Sequence, residues 1–383
     1  MSKKIAFVFG TRPEAIKVAP LIVSIAANSD FEPIVILTGQ HPTMAKEVLE
    51  WFDLEADFES QVDRSDNSLN GLTSQIVKST SDVLTESKPD LVIVQGDTAS
   101  AFAGAVASFN LQIPVAHLEA GLRTNNLGSP FPEEAYRQMV SRISVLNMCP
   151  TSSNKENLLG EGIDSKSIMI TGNTVVDAFS VIQQKIEDGE IEVALPNDLP
   201  SENIVLVTTH RRENLEQGIG EIATAIAELA ESYPELNFVI PMHPNPAVRA
   251  KIIPILGSKT NVYLLEPLGY PEFITVLSKS KFVLTDSGGV QEEAPILGIP
   301  VLVMRENTER PEGISAGGVR LVGANKSQII DLVTELMSND QTLKSMAQAS
   351  NPYGDGKASD RCISMISEYF GYGVRDSEFI SVI

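Results

Sequence analysis

The stretch IAFVFGTRPEAIK, residues 5–17, decides the fold. Its five leading apolar residues are typical of a strand buried on both faces of a parallel sheet. A glycine follows, and then Thr11 and Glu14 stand at the Thr-x-x-Glu spacing of a capping box, which predicts that a helix begins there. The stretch therefore predicts a β-strand that leads directly into a helix.

The same alternation recurs along the chain. Stretches with helical spacing, such as residues 72–84 and 219–229, separate short apolar runs. Apolar strands that alternate with helices indicate an α/β protein whose parallel sheets are covered by helices on both faces. Besides residues 5–9, the strands are predicted at residues 33–37, 91–94, 115–117, 168–170, 204–207, 237–240, 262–265, 282–284, 301–304 and 319–322.

The length of 383 residues predicts about two domains. Helical periodicity weakens over residues 179–203, where acidic residues, Asn and Pro accumulate, so we expect a loose surface segment there and a domain change near Gly172. The turn-rich NPYGDG at 351–356 marks a second boundary. A helix is predicted at 358–370, and the order of the final residues is left open.

The composition limits the partners of the chain. With 29 Lys+Arg against 50 Asp+Glu the formal charge is -21, which disfavours nucleic acid and anionic membranes as partners. The two cysteines stand far apart, which argues against a disulfide framework or a zinc site. Because the first apolar run is too short for a signal peptide and no run reaches about 18 residues, we expect a cytoplasmic chain.

Polar segments follow the predicted strands in both halves. GTRPEAIK, QGDT, THRREN and DSGGVQEE each come directly after an apolar run. In parallel sheets ligands bind beyond the carboxyl ends of the strands, so these segments predict one polar cleft shared by the two halves. All four histidines lie in such segments: His41, His117, His210 and His243.

Two cations of the first half indicate an anionic ligand. A cation in the first turn of a helix opposes the helix dipole unless an anion lies nearby, and Arg12 stands in that turn. Lys17 adds a second cation near the same strand end. For Thr11 and Glu14, helix capping alone explains the residue types as well as a role in ligand binding does.

The segment DSGGVQEE is typical of a phosphate or nucleotide site, although it also fits a simple tight turn. Ser287 can cap the following helix, and Gly288 and Gly289 let its backbone approach a ligand. Glu292 or Glu293, one turn on, is expected to accept hydrogen bonds from ribose hydroxyls.

Arginines close to this segment in the second half form the positive cluster that a pyrophosphate requires. They are Arg211, Arg212, Arg305 and Arg310. Because His210 stands beside two of them, the sequence favours a phosphate contact over a general acid for this histidine.

The first half instead contributes carboxylates at its strand ends, with Arg123 nearby: Asp97, Glu119, Glu133 and Glu134. Any one of them is compatible with a solvated acid or, for Glu134, a helix N-terminal charge. Together they resemble acid–base groups directed at a sugar ring.

Other residues and motifs have simpler interpretations. His117 lies inside an apolar run and is predicted to be structural, and Trp51 is predicted to lie in the core. The sequence contains no Walker A motif, HExxH, Gly-x-Ser-x-Gly or complete Gly-x-Gly-x-x-Gly. ATPase, metalloprotease, hydrolase and dinucleotide-binding functions are therefore disfavoured.

As a set, these motifs resemble the non-hydrolysing UDP-N-acetylglucosamine 2-epimerases. The matching motifs run in order from residue 9 to 361: GTRPEAIK, TGQH, QGDT, HLEAGLRT, PFPEEAYRQ, TGNTVVDA, THRREN, DSGGVQEEAP, VMRENTERPEG and NPYGDG. The resemblance implies two Rossmann-like domains in a glycosyltransferase-B-like arrangement, with the C-terminal helix crossing back to the first. We expect residues 1–171 plus 355–383 to form the carboxylate domain and 172–354 to form the UDP-binding domain.

The resemblance also implies the reaction, a reversible conversion of UDP-GlcNAc to UDP-ManNAc. In the family UDP is eliminated across C1–C2 to give 2-acetamidoglucal and then adds back. This chemistry requires no metal and no cofactor. A homodimer that serves polysaccharide biosynthesis is expected.

Motif by motif, the resemblance assigns roles to residues. The catalytic set is Asp97, Glu119, Glu133 and His210. The substrate-binding set is Arg12, Lys17, Ser287, Gly288, Gly289, Glu293 and Arg310, with Phe273 at a uridine-stacking position. A possible allosteric set, for a second UDP-GlcNAc, is Gln40, His41, Glu134, Arg211 and His243.

The chain departs from the family pattern at three positions. Pro42 replaces an arginine and Thr43 a frequent polar amide in the allosteric stretch, which leaves allosteric activation open. Tyr136 stands where the family usually has Asn, which predicts an altered pocket near Glu133.

Three other functions are compatible with part of this pattern. A glycosyltransferase on the same fold would need an acceptor site in the first domain instead of carboxylates and cations around the donor sugar. A silent sugar-nucleotide sensor would lack the acids. A related epimerase would act on a UDP-diacetamido or 6-deoxy sugar.

Overall fold

The computed structural model describes residues 2–63, 65, 68–209 and 218–381. The chain divides into two compact units, one of Met1–Ile182 with Tyr353–Ser381 and the other of Gln183–Pro352. The division falls within a helix, beyond the boundary expected at Gly172. The C-terminal helix belongs to the first unit, as the fold class requires.

Parallel strands form one sheet in each unit. In the first unit the order is β3-β2-β1-β4-β5-β6-β7, and in the second it is β10-β9-β8-β11-β12-β13. Every pair of neighbouring strands among the described residues is parallel, which confirms the predicted α/β class. The strands are β1 Lys3–Phe9, β2 Phe31–Leu37, β3 Phe58–Glu59, β4 Leu91–Gln95, β5 Val115–Leu118, β6 Leu146–Cys149, β7 Ile168–Ile170, β8 Ile204–Thr208, β9 Asn237–Pro241, β10 Val262–Leu265, β11 Ser280–Thr285, β12 Val301–Val303 and β13 Val319–Leu321.

Helices connect these strands. Within the described ranges none is both long enough and apolar enough to cross a membrane. The helices are α1 Arg12–Ala26, α2 Pro42–Trp51, α3 Leu69–Ser87, α4 Ala99–Asn110, α5 Glu133–Ile143, α6 Ser152–Gly160, α7 Thr174–Glu187, α8 Gly218–Ser232, α9 Pro246–Leu256, α10 Tyr270–Ser278, α11 Gly288–Glu293, α12 Pro311–Ser315, α13 Lys326–Ser338, α14 Asp340–Ala347 and α15 Ala358–Phe370.

The first strand and helix form as the sequence predicts. The five apolar residues of β1 at positions 5–9 are buried. The capping box at the start of α1 is present, and the Glu14 carboxylate accepts a hydrogen bond of 2.8 Å from the Thr11 N–H. The turn at Gly10 is tight, because a Cβ there would lie 2.0 Å from the Thr38 hydroxyl oxygen.

Three elements differ from the sequence prediction. Strands β3 and β6 were not predicted, because β3 has only two residues and β6 carries the polar Asn147. The loose segment predicted from residue 179 was wrong over its first part, where α7 continues to Glu187. The physical reason is that Val175, Phe179 and Ile182 recur at helical spacing and are buried.

The helix α15 and the residues after it pack on the first unit. The Phe370 ring of α15 lies 6.3 Å from the Phe31 ring. The Phe379 N–H donates to the Ile170 carbonyl at 2.8 Å, and the Glu378 carboxylate accepts from the Ile170 N–H at 3.1 Å. The terminal residues up to this point are therefore held against the backbone of β7.

Candidate functional site

Glu119 contacts three polar side chains from separate segments of the first unit. It follows β5 with φ of 66°, in the left-handed region. It forms an ion pair with Lys17 and accepts hydrogen bonds from the Gln95 and Asn173 side-chain amides, the latter at 3.1 Å. The side chains of Lys17 and Glu119 are only 9% and 10% exposed. The charge of this acid is thus balanced and its orientation fixed.

Asp97 forms an ion pair with a residue that the sequence analysis did not select. The Arg137 Nη2 of α5 lies 2.5 Å from the Asp97 Oδ2, and Arg137 is almost fully buried. The Asp97 side chain is 29% exposed. Glu133 begins α5 and is half-buried. The structure therefore brings Asp97 to the helix that carries Glu133.

Glu134, which was assigned to the possible allosteric set, is fully buried and organises a loop. Its carboxylate accepts hydrogen bonds from the Thr124 and Asn125 N–H groups at 3.0 and 3.1 Å and from the Gln138 side chain at 2.8 Å. Burial opposes its ionisation, but these hydrogen bonds and the positive charge of Arg137 leave its pKa below the ordinary value. Glu134 therefore holds the backbone of Thr124 and Asn125 against the start of α5.

Glu14 connects two strand-end loops. Besides the Gly10 and Thr11 N–H groups, its carboxylate accepts a hydrogen bond of 2.6 Å from the Thr98 hydroxyl. Burial raises the pKa of Glu14 to about 7, against the opposing effect of the Thr98 and Thr11 hydrogen bonds. The capping interpretation of Glu14 is confirmed, and it holds the loop after β4 in addition.

Arg123 was expected to lie near the carboxylates at the strand ends of the first unit, but it forms an ion pair with Glu161. Its Nε and Nη2 donate to the two Glu161 oxygens at 2.6 and 2.9 Å. Its Nη1 donates to the Leu122 carbonyl at 2.7 Å. A bidentate ion pair of this kind commits the guanidinium to a structural role.

Arg12 and Trp51 contact each other. The Arg12 guanidinium carbon lies over the Trp51 ring, 5.8 Å from its centroid, and both residues are half-buried. The prediction that Trp51 is a core residue was therefore wrong. The aromatic face instead supports the cation at the start of α1.

Tyr136 has a packing partner that explains its presence in α5. Its ring stacks on the Phe102 ring of α4 with centroids 4.4 Å apart and planes 2° apart. The departure from the family pattern at this position thus joins two helices of the first unit.

The remaining residues of the predicted allosteric set have local contacts. The Gln40 side-chain oxygen accepts from the Ser100 N–H and hydroxyl at 3.1 and 2.7 Å. His41 is exposed at the N-cap of α2. In the second unit the exposed His243 accepts a hydrogen bond of 3.2 Å from the Asn245 N–H. Arg211 lies outside the described residues, as do His210 and Arg212.

The Ser-Gly-Gly turn of the second unit follows β11 as predicted. The Ser287 N–H donates to the Thr285 hydroxyl at 2.9 Å, and the buried Asp286 accepts from the Thr209 hydroxyl at 3.1 Å. Ser287 occupies the N-cap of α11, but its hydroxyl makes no capping hydrogen bond. The expectation that it caps the helix was wrong.

Gly288 lies against Arg310. A Cβ at Gly288 would lie 2.7 Å from the Arg310 Nη1, so a larger residue there would have to displace this guanidinium. Arg310 donates to Glu292 at 2.6 Å and to Glu309 at 2.7 Å. The structure therefore shows Glu292 in an ion pair with Arg310.

Arg305 and Arg310, the two members of the predicted positive cluster that the structure describes, both form ion pairs. Glu309 also accepts from the Arg305 Nη1 at 2.9 Å. The two arginines are therefore matched by the carboxylates of Glu309 and Glu292. Charge neutrality of this buried network follows from the high free energy of burying an unpaired charge.

Three further residues of the second unit were predicted to contact the nucleotide: Gly289, Glu293 and Phe273. At Gly289 the nearest atom to an added Cβ would be the Ser287 Oγ, at 3.9 Å. Glu293 ends α11 and is buried. Phe273 lies half-buried in α10.

Three residues around the predicted acids were missed: Gln95, Arg137 and Asn173. Gln95 ends β4, so the rule that selected Asp97 also selects it. Arg137 stands in the PEEAYRQ motif, four positions after Glu133, a spacing that puts both on one side of a helix. Asn173 stands in TGNT after β7.

The chain contains two parallel-sheet units. Buried acid–cation pairs lie at the strand ends of one unit, and a glycine turn lies against an arginine in the other. These features define an α/β enzyme built from two Rossmann-like domains of the glycosyltransferase-B type. A family model described as UDP-N-acetylglucosamine 2-epimerase matches residues 23–367. The chain belongs to this family and is an isomerase.

Named relatives are similar to this chain in sequence and in fold over nearly its whole length. A UDP-N-acetylglucosamine 2-epimerase of Neisseria meningitidis serogroup A is 46% identical over 360 residues, which cover 93% of this chain and 97% of the relative. A crystal structure of the UDP-GlcNAc 2-epimerase from Neisseria meningitidis bound to UDP-GlcNAc has a TM-score of 0.91 at 45% identity, covering 95% and 100%. The Methanocaldococcus jannaschii enzyme in complex with UDP-GlcNAc and UDP has a TM-score of 0.81 at 33% identity, covering 96% and 100%.

Proposed function

We propose that this chain interconverts UDP-GlcNAc and UDP-ManNAc by reversible inversion at C2. Membership of the family supports this substrate, as do the relatives whose structures hold UDP-GlcNAc or UDP. The observation that carries the proposal is the buried Lys17–Glu119 ion pair, which the Gln95 and Asn173 side chains hold in place at the strand ends of the first unit.

The proposed chemistry is an elimination followed by an addition. No carbonyl is adjacent to C2, so the C2 proton is not acidic by itself. The bond from C1 to the UDP oxygen breaks, its electrons leave with UDP, and positive charge develops at C1. A carboxylate takes the C2 proton, and the electrons of that bond form the C1–C2 double bond of 2-acetamidoglucal. UDP then adds back at C1 while C2 receives a proton on the opposite face.

The carboxylates of the first unit suit this reaction. We assign the stabilisation of positive charge at C1 and the proton transfers at C2 to Asp97, Glu119 and Glu133 as a set. Ionised acids that are already oriented need no reorganisation when the charge develops. The hydrogen bonds to Glu119 and the ion pair of Asp97 with Arg137 supply that orientation.

The UDP contacts are assigned to both units. We assign the phosphates to the backbone N–H groups of the turn at Gly288 and Gly289, and the ribose to Glu293. We also assign Arg310 to the phosphates, and its hydrogen bonds to Glu292 and Glu309 hold its guanidinium beside Gly288. The remaining assignments are Arg12 and Lys17 to the anionic substrate, Ser287 to the phosphates, Phe273 to the uracil ring and His210 to the leaving phosphate.

We further propose that the chain acts as a cytoplasmic homodimer in polysaccharide biosynthesis. The family resemblance is the support for this assignment. Sedimentation velocity at several protein concentrations measures the oligomeric state, and a concentration-independent monomer would contradict the dimer.

Proton NMR of the protein with UDP-GlcNAc in D2O tests the proposed reaction. We expect deuterium to enter at C2 while the UDP-ManNAc signals grow. A glycosyltransferase would instead release UDP in the presence of an acceptor and leave C2 protonated. An epimerase for a UDP-diacetamido or 6-deoxy sugar would exchange C2 only in those substrates.

A further inference from the structure

His117 is fully buried in β5 and uses both ring nitrogens. The Nε2 lies 2.8 Å from the Gly96 carbonyl oxygen, and the Nδ1 lies 3.2 Å from the Ser141 hydroxyl oxygen. A carbonyl oxygen only accepts hydrogen bonds, so the Nε2 carries the hydrogen and donates it. The Nδ1 of the same neutral ring therefore accepts, and the Ser141 hydroxyl donates.

The two partners of His117 belong to the two elements that hold Asp97. Gly96, with φ of 68°, immediately precedes Asp97 in the loop after β4. Ser141 lies on α5, one helical turn after Arg137, whose Nη2 contacts the Asp97 carboxylate at 2.5 Å. His117, Gly96, Asp97, Arg137 and Ser141 therefore close a ring of contacts within the first unit.

We propose that His117 is a positioning residue for Asp97. It fixes the loop after β4 and α5 relative to each other through the Gly96 carbonyl and the Ser141 hydroxyl. The Asp97–Arg137 ion pair then forms in one geometry. The inference rests on the proposed function in one respect: Asp97 matters for turnover because that function places it among the acids that act on the sugar.

The ring of His117 is neutral at physiological pH. Burial lowers its pKa to about 3, the hydrogen bond to the Gly96 carbonyl opposes this, and the positive charges of Arg123 and Arg137 lower it further. A protonated imidazole would have no acceptor for the Ser141 hydroxyl. His117 therefore acts through hydrogen bonds and not by exchanging a proton during turnover.

The test compares H117L, H117Q and S141A with the wild-type protein. Leucine removes both hydrogen bonds, whereas the glutamine amide can still donate to the Gly96 carbonyl. Since a displacement of about 1 Å costs up to about 10²-fold in rate, we expect H117L to lower kcat for UDP-GlcNAc by roughly 10- to 100-fold. We expect KM to change by less than about threefold, because His117 is fully buried and both its ring nitrogens already contact protein atoms. H117Q should recover most of kcat, and S141A should lose less than H117L.

A purely structural role predicts a different pattern. Wild-type kcat in H117L, equal losses in H117L and H117Q, or parallel losses of kcat and UDP affinity in folded protein would each overturn the proposal. If H117L does not fold, the pair H117Q and S141A carries the same comparison.

A second measurement separates this inference from the proposed function. Crystal structures of H117Q and S141A report the distance between the Arg137 and Asp97 side chains directly. We expect this pair to shift in S141A and to stay closer to the wild-type geometry in H117Q. An unchanged pair in S141A would overturn the positioning role even if the wild-type protein failed to exchange the C2 proton of UDP-GlcNAc.

Discussion

The guanidinium of Arg12 lies over the indole of Trp51, with its central carbon 5.8 Å from the ring centroid. Arg12 stands in the first turn of α1, where the helix dipole disfavours a cation. Trp51 ends α2 and is the single tryptophan of the chain. The aromatic face offsets the unfavourable position of the cation and fixes where its charge lies.

Replacement of Trp51 tests this support. Cation–π contacts contribute about 0.5–1 kcal/mol at exposed sites, so W51L should raise KM for UDP-GlcNAc by about two- to fivefold with little change in kcat. W51F, which keeps an aromatic face, should lie closer to the wild type. An unchanged KM in W51L, from initial rates over a range of substrate concentrations, would show that Trp51 does not assist Arg12.

The role assigned to Glu119 predicts that its replacement abolishes most of the turnover but leaves UDP binding largely intact. E119Q keeps the size of the side chain but removes the charge that faces Lys17. We expect kcat to fall by roughly 10²- to 10⁴-fold. UDP affinity, measured by calorimetry, should stay within a fewfold because most of the UDP contacts are assigned to the second unit.

E59Q is the matched control for E119Q. Glu59 forms a half-exposed ion pair with Lys46 in the same unit, at 2.6 Å. The same acid-to-amide change there should leave turnover unaltered, since exposed pairs of this kind contribute little to stability. Normal turnover in E119Q would refute the assignment of Glu119.

The two glycines of the turn before α11 predict different effects on stability. An alanine at Gly288 would put its Cβ 2.7 Å from the Nη1 of Arg310, whose guanidinium is held by the carboxylates of Glu292 and Glu309. Overpacking of this kind destabilises by about 1–3 kcal/mol, so G288A should lower the midpoint of urea unfolding of the second unit. G289A should not, because its nearest neighbour would be 3.9 Å away. Equal midpoints in the two variants would contradict the packing of Arg310 on Gly288.

Glu14 predicts a pH-dependent contribution to stability. Its folded pKa of about 7 lies above the ordinary value of 4.5, so the folded state keeps the proton to a higher pH than the unfolded chain. The stabilisation that this gives is complete below about pH 4.5 and is lost as the pH rises through 7. Relative to the wild type, E14Q should therefore gain up to about 3 kcal/mol of unfolding free energy between pH 4.5 and 8.

Urea unfolding of both proteins at several pH values checks the Glu14 prediction. His117, whose folded pKa of about 3 is depressed, contributes the opposite trend, and it does so equally in both proteins. E32Q, at an exposed acid of β2, is the control and should follow the wild type at every pH. A difference between E14Q and the wild type that does not change with pH would show that Glu14 does not titrate in this range.

The sequence predicted elements whose cause is local. Five apolar residues before Gly10 and the capping box of Thr11 and Glu14 specify a buried strand and a helix start without any distant contact. The same reasoning failed over residues 179–187, where a helix has a polar exposed face and its buried residues reveal it only once the neighbouring elements are known.

The partners of the charged groups came only from the tertiary structure. Lys17 and Glu119 are 102 residues apart in the chain, and Asn173 lies 54 residues beyond Glu119. They meet because the strand order places β1, β4, β5, β6 and β7 side by side, so the ends of these strands lie along one edge. Sequence patterns show which residues follow strands, and so they gave the residue types of the site. Whether an acid faces a lysine, an arginine or a backbone N–H depends on distances between remote segments. For that reason the partners of Arg123, Glu134 and Glu292 could be identified only from the fold.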